Sequence, residues 1–468
     1  MEMTGKVDSK QRRILYDKNI LKGILLLALP IMFNNIVKAF HDVVDMLVVG
    51  KMDAAPEVVS NQIAAIGFVG PVISIFQALA MGVMIAGSAL MSQYIGAKRK
   101  QDAENISGLL LLICTIIGII FNVILYFTCP VILRMMNAEA NLYEYSLIYL
   151  RIRSFEMTGL FIFFAYQATR QSMGDTVMPV VWSILSIVLN IILTCLFIFV
   201  GGMDLRGAAY ATVISNMILV PIVIIHLRKT KDMKLTIDDF KFDFTKIKII
   251  FKLAWPSAVS QAFTSLGFAI INSIIAGYDD TILSAIAIGN RINSMLLFPT
   301  MAVGSVLATF VGQNIGAGNI KRAKKSVNVA MALSIGIGIV GGLGLLPFRV
   351  QLAEIFLEQQ VDIDLCVKYL FYLLVGLPLM SVFQCFNGCF QGSGRTGFSL
   401  TLSTIRLWVL RVPVVLLLLN VFDVGPQALW ICMVVSNFGA CIIGTIFYQF
   451  VDFLPRVSTM KKRLAKIS

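Results

Sequence analysis

Charge is scarce in this chain. Only 14% of its 468 residues are Asp, Glu, Lys or Arg, and it holds two histidines and four tryptophans. A soluble protein of this length needs far more polar surface, so soluble enzymes and soluble binding modules are excluded. No Walker A sequence occurs, and nothing points to ATP hydrolysis by the chain itself. The eight cysteines form no paired CxxC set and lie mostly in apolar runs. Cys385 and Cys389 are one helical turn apart, which leaves a two-thiol site open; small buried residues are the plainer reading. Residues 1–22 are polar and lead into a full-length apolar run, unlike a signal peptide.

What the chain does have is hydrophobic length. It is 58% hydrophobic, and apolar runs of roughly 20 residues, enough to cross about 30 Å of hydrocarbon, recur from end to end. About twelve spans are read, the first centred near Asn35 and the last near Gly439. Lys and Arg gather in the N-terminal segment and in residues 97–100, 227–248, 320–325 and 461–466, whereas 50–57, 277–281 and 353–364 are poor in them. That alternation predicts cytoplasmic termini in an inner (cytoplasmic) membrane, with an even number of spans. The net charge of +13 is thereby read as topology, and nucleic acid is not expected as a partner.

The halves repeat each other. "LALP" (27–30) returns as "LAWP" (253–256), and "VVDMLVVG" (43–50) aligns with "IINSIIAG" (270–277), setting Asn272 opposite Asp45. "SQYIGAKRKQDA" (92–103) matches "GQNIGAGNIKRA" (312–323), "SMGDT" (172–176) matches "GSGRT" (392–396), and "ATVISN" (211–216) matches "CMVVSN" (432–437). A repeat of about six helices enters the membrane in the same sense both times, the parallel-repeat plan of some secondary transporters. The expected organisation is an N-terminal segment 1–23, a first lobe 24–227, a linker 228–248, a second lobe 249–451 and a tail 452–468. The fold class is an all-α membrane protein, with twelve transmembrane helices in two six-helix lobes around a central cavity.

One span is unusually polar. In "NNIVKAFHDVVDMLVVG" (34–50), Asn34, Asn35, Lys38, His41, Asp42 and Asp45 fall on one side of a helix at about 100° per residue. Ionisable groups at membrane depth are costly and face a lobe interior or a water-filled cavity. Pro30, one turn earlier, should kink the helix. Lys38 can pair with Asp42 at i,i+4, and His41 reads either as an interior histidine or as a proton relay. Arg153 and Glu156, at i,i+3, read as an internal ion pair. Arg291, Arg406 and Arg411 read as anchors of helix ends or packing.

In "LALP", Asp45 with Gly50 five residues on, "QYIGAKR", "VGQNIGAGN", "FQGSGRT" and "RLWVLRVP" (406–413), over roughly residues 25–450, the chain resembles the multidrug and toxic compound extrusion (MATE) family. The resemblance implies a transporter and no enzyme, working as a monomer without a cofactor. It implies export of organic, mostly cationic amphipathic molecules in exchange for H+ or Na+ by alternating access. Asp45 matches the family's first-helix carboxylate and Asn190 its fifth-helix asparagine. Thr194 stands where some members carry a second aspartate, and Thr212 and Gln167 match polar positions. Asp42 and His41 are candidate helpers, with Na+ at Asp45, Asn190 and Thr194 an option. Asn34, Asn35, Lys38, Gln167, Gln261 and Asn272 are candidate cavity-lining residues. Acids that some members place in the seventh and tenth helices are absent, so coupling is expected in the first lobe. A dedicated exporter of one metabolite or toxin, or a lipid-linked sugar flippase, remains the alternative.

Overall fold

The computed structural model describes residues 9–52, 55–136, 140–230, 232–240, 242–275, 280–354, 357, 360–422, 425, 427–451 and 453–455. Of the residues singled out above, the side chains of Asp42, Asp45, Asn272 and Arg291 lie outside the described set. Among the described residues there is no strand. After a short helix, Ser9–Leu15, come α1 (Ile20–Gly50), α2 (Pro56–Gly96), α3 (Lys100–Met135) and α4, built from Ala140–Ser154 and Glu156–Ser172. Next are α5 (Val177–Cys195, running into π-helical Leu196–Val200) and α6 (Asp204–Lys229). The second half has α7 (Phe244–Ile275), α8 (Asp280–Gly316), α9 (Ile320–Leu345) and α10 (Gln360–Gly392). It closes with α11 (Thr396–Thr404, π-helical Ile405–Arg411, Val412–Asn420) and α12 (Gln427–Phe450).

Among the described residues, ten segments are long and apolar enough to cross a membrane by themselves. The other two are α4, interrupted at Phe155 beside Arg153 and Glu156, and α7, whose first turns carry Lys246, Lys248 and Lys252. The rods outrun the expected span length. Helix α2 has 41 residues, about 60 Å at 1.5 Å per residue. The "QYIG" stretch is the last turn of α2, and "QNIG" is the last turn of α8.

The turns after α2, α4, α8 and α10 share one construction. Each has a left-handed residue just past the helix, Lys98 (φ 58°), Gly174 (φ 79°), Gly318 (φ 76°) and Gly394 (φ 69°). The next amide reaches back to close the cap, Arg99 N to Tyr94 O at 2.9 Å, Asp175 N to Arg170 O at 3.0 Å, Asn319 N to Asn314 O at 2.8 Å and Arg395 N to Phe390 O at 2.8 Å. Glycine suits that backbone because it has no Cβ to clash. Repetition of the device in both halves follows from the repeated sequence.

These four turns converge at one end of the molecule, the end with the basic loops, so both halves run in the same sense. The lobes meet there. The Gln313 side chain donates to Ser172 O at 2.7 Å, and Gln93 Nε2 donates to Gly392 O at 3.2 Å. Gly96 lies against the Gln313 carbonyl and Gly316 against the Gln93 carbonyl, a reciprocal pair of backbone contacts. The Ser9–Leu15 arm crosses the seam. Lys10 Nζ is 3.1 Å from Asp175 Oδ2 in the first lobe. Arg322 Nε of the second donates to Ile14 O at 3.0 Å, and Asn314 Nδ2 donates to the same carbonyl at 3.3 Å.

Helix α1 belongs to both lobes. Ile20, Ile24, Leu27 and Ala28 are buried in a cluster with Val303, Phe310 and Phe390 of the second lobe. Val49 packs with Ile198 and Ala208 of the first. Pro30, which has no amide proton to give the preceding turn, separates the two stretches. The segment between α6 and α7 is docked: Met233 and Leu235 are buried in the first lobe's core, and Lys234 N donates to Glu104 Oε1 at 3.2 Å.

Candidate functional site

The polar side chains of α5 recur every three to four residues, Ser183, Ser186, Asn190 and Thr194, all buried. At 3.6 residues per turn they form one stripe. Helix α6 offers a matching stripe, Ala208, Thr212 and Asn216. The two stripes meet in a directional chain of hydrogen bonds. Asn190 Nδ2 donates to Thr212 Oγ1 at 3.0 Å, which donates to Ala208 O at 3.0 Å. Asn190 Oδ1 therefore faces the other way and accepts from His41 Nε2 at 2.9 Å and from Thr194 Oγ1 at 3.4 Å. With that amide orientation the proton of His41 sits on Nε2.

Four of the six residues expected to hold the coupling cation thus form one cluster: His41, Asn190, Thr194 and Thr212. Asp42 and Asp45 stand on α1 next to His41 and one turn beyond it, with side chains outside the described residues. The expected lining residues are more scattered. Asn34 is buried, and its Oδ1 has no hydrogen-bond partner. Asn35 and Gln167 are half-buried, and Lys38 is exposed. Gln261 Nε2 reaches across the lobe seam to Met81 Sδ at 3.7 Å.

A second polar chain runs beside the first, and sequence reasoning caught only one end of it. Arg153 Nε lies 2.7 Å from Glu156 Oε2, the expected ion pair. Glu156 Oε1 also accepts from Asn216 Nδ2 at 3.1 Å, and Asn216 Oδ1 accepts from Ser186 Oγ at 3.3 Å. Glu156 is therefore tied into the same α5–α6 seam as Asn190. The signal was present, since Ser186 and Asn216 each lie four residues from a residue already singled out.

Of the two readings of Arg406 and Arg411, helix ends or packing, the first is overturned. They do not anchor helix ends: both are buried in the π-helical middle of α11 and face a cavity of the second lobe. Cys385 and Cys389 are buried and unbridged, and Cys385 Sγ donates to Ser334 Oγ at 3.2 Å.

A MatE family profile matches residues 30–196 and 256–417. The probable multidrug resistance protein YoeA of Bacillus subtilis is 24% identical over 441 residues, covering 92% of this chain and 94% of the relative. The multidrug export protein MepA of Staphylococcus saprophyticus is 21% identical over 437 residues, covering 93% and 95%. A solved multidrug resistance MATE family transporter of the MOP superfamily, in an outward-facing conformation, shares the fold. Its TM-score is 0.87 at 23% identity, over 98% of this chain and 100% of that one. The family profile covers most of both repeated halves, and the chain accordingly belongs to the MatE family of multi-pass membrane transporters.

Proposed function

We propose that this chain is a secondary antiporter that exports small organic molecules, chiefly cationic amphipathic ones, in exchange for H+ or Na+ taken up in the first lobe. The observation that carries this reading is the His41–Asn190–Thr212 chain, which ties the outer half of α1 to α5 and α6. Asp45, one turn beyond His41, supplies the carboxylate. Asn190 Oδ1 and Thr194 Oγ1 supply neutral oxygens of the kind hard cations prefer.

The chain of bonds suggests how an ion would do work. Asn190 Oδ1 already serves His41 and Thr194, so a cation that takes up this oxygen competes with the His41 proton and loosens α1 from α5. Because α1 packs on the second lobe before Pro30 and on the first lobe near Val49, loosening it there alters how the lobes lean on each other. The basic end is taken as cytoplasmic. Closure of the lobes at that end then corresponds to a form open to the outside.

The test is transport by reconstituted protein with pH and Na+ gradients imposed separately. Asp45→Asn is expected to insert normally and lose gradient-driven export; export at the normal rate would overturn the assignment. One charge crossing 100 mV is worth about 2.3 kcal/mol, and a monocation exchanged for one coupling ion moves no net charge. Membrane potential should therefore alter monocation export only if Asp42 and Asp45 both load.

A further inference from the structure

The second lobe repeats the first with its charge inverted. In the register that pairs Asn216 with Asn437, Arg411 takes the place of Asn190. Where Asn216 contacts Glu156 in the first lobe, Asn437 contacts two guanidinium groups in the second. Arg406 Nη1 donates to Asn437 Oδ1 at 3.2 Å and Arg411 Nη2 to the same oxygen at 3.3 Å. Arg411 Nε also donates to Ser436 Oγ at 3.0 Å. Arg406 is 2% exposed and Arg411 5%, and both lie at the middle of the 25-residue span Thr396–Asn420.

Burying a guanidinium without a counter-charge is strongly unfavourable. Arg406 has neutral partners: Asn437, Met380 Sδ at 3.4 Å, and the Phe383 ring 4.1 Å away. Its Nε is buried without a hydrogen-bond partner. The helices that carry the two arginines and Asn437, α11 and α12, have no acid in their sequence. Every Asp and Glu between residues 249 and 451 falls at 279–280, 354–364 or 423, none of them within the sequence of α11 or α12.

Both arginines line a cavity of about 80 Å³, room for several water-sized groups at roughly 10–15 Å³ each. Asn290, Asn293 and Tyr369 add polar groups to its wall, and Leu373 and Trp430 add apolar surface. The Tyr369 hydroxyl donates to Asn290 Oδ1 at 2.6 Å, which fixes that side of the wall.

We propose that this cavity binds a small organic carboxylate. The planar fork of Arg406 matches the two oxygens of a carboxylate, Arg411 adds the second positive charge, and the apolar wall takes a short tail. The bound anion supplies a counter-charge for Arg406, whose partners are neutral. The antiporter is then two-signed, with a cation site in the first lobe and an anion site in its repeat.

The experiment uses the purified full chain in detergent, with no gradient, so its outcome is independent of the antiport reading. Sodium butyrate, butyramide and sodium chloride are compared at matched ionic strength by calorimetric titration and thermal unfolding. Butyrate is expected to bind saturably and raise the unfolding midpoint, while butyramide, the same shape without the charge, does neither. Arg406→Gln should weaken butyrate binding at least tenfold, and Arg406→Lys, which keeps the charge but loses the fork, should fall between. Equal binding of butyramide, an equal shift with chloride alone, or wild-type affinity in Arg406→Gln would each overturn the proposal. If Arg406→Gln does not fold, the butyrate–butyramide comparison on the unmodified protein decides.

Discussion

Substituting Gly96 and Gly316 with alanine tests whether the basic-end seam is a true closed state. A Cβ built on Gly96 would lie 2.0 Å from the Gln313 carbonyl oxygen, and one on Gly316 would lie 2.0 Å from that of Gln93. Ordinary van der Waals contact begins at 3.4 Å, so the helices must part by about 1.4 Å at each point. Both neighbours are backbone atoms, which cannot rotate away as a side chain can. Overpacking of this kind costs about 1–3 kcal/mol. The cost falls only on the form in which the lobes touch, so each substitution should move the closed-to-open ratio roughly 5- to 150-fold at about 1.4 kcal/mol per factor of ten. Spin labels at Lys100 and Lys321, exposed positions beyond α2 and α8, would report it by pulsed electron paramagnetic resonance. The distance distribution should lengthen in Gly96→Ala and lengthen further in the double variant. An unchanged distribution in a well-folded double variant would refute the reasoning.

Three further outcomes are expected. Asn190→Leu strips His41 Nε2 and Thr212 Oγ1 of their shared partner, and a lost buried bond costs about 1–3 kcal/mol. The coupling-ion concentration for half-maximal transport should rise about tenfold or more, and an unchanged ion dependence would remove Asn190 from the site. Lys98→Gly replaces the one described non-glycine residue with positive φ by the residue used in its three sister turns, and should stabilise the chain by about 1 kcal/mol. Thermal unfolding in detergent measures this, and a lower midpoint would count against the capping argument. At Asp175, burial pushes the carboxyl up, but Arg170 and Lys10 outweigh it and hold it below the usual 3.8. Because the folded value is the depressed one, the stabilisation is present above the ordinary carboxylate range and is lost as pH falls through the depressed value. Asp175→Asn should therefore show a flatter acid limb in stability against pH; an acid limb as steep as that of the unmodified chain would show that the pair contributes nothing.

The overall plan was legible because membrane insertion writes itself into local sequence. Apolar length gave the rods, and the matched motifs gave the parallel repeat. The members of the candidate cluster His41, Asn190, Thr194 and Thr212 were legible one by one, but their network was not. Nothing in the spacing of residues 41, 190 and 212 says that one asparagine amide joins all three, since that depends on how α1, α5 and α6 pack. Residues 97–100 were read as a basic connection, but nothing local showed that "QYIG" before them is the end of α2 packed against Gln313. Arg406 and Arg411 were read as anchors of helix ends or of packing, since arginines usually snorkel. Their burial became visible only once Asn437 and Ser436 were seen to receive them.

The Ser9–Leu15 arm also bears on how the molecule is made. Its Ile14 carbonyl is held by Arg322, 308 residues further along the chain. At synthesis rates of about 5–20 residues per second, that partner emerges roughly 15–60 s after the arm does. For that interval the arm has no second lobe and no seam to occupy. The arm is therefore translated well before the partner that holds it, and its docking has to wait until α9 of the second half has been made.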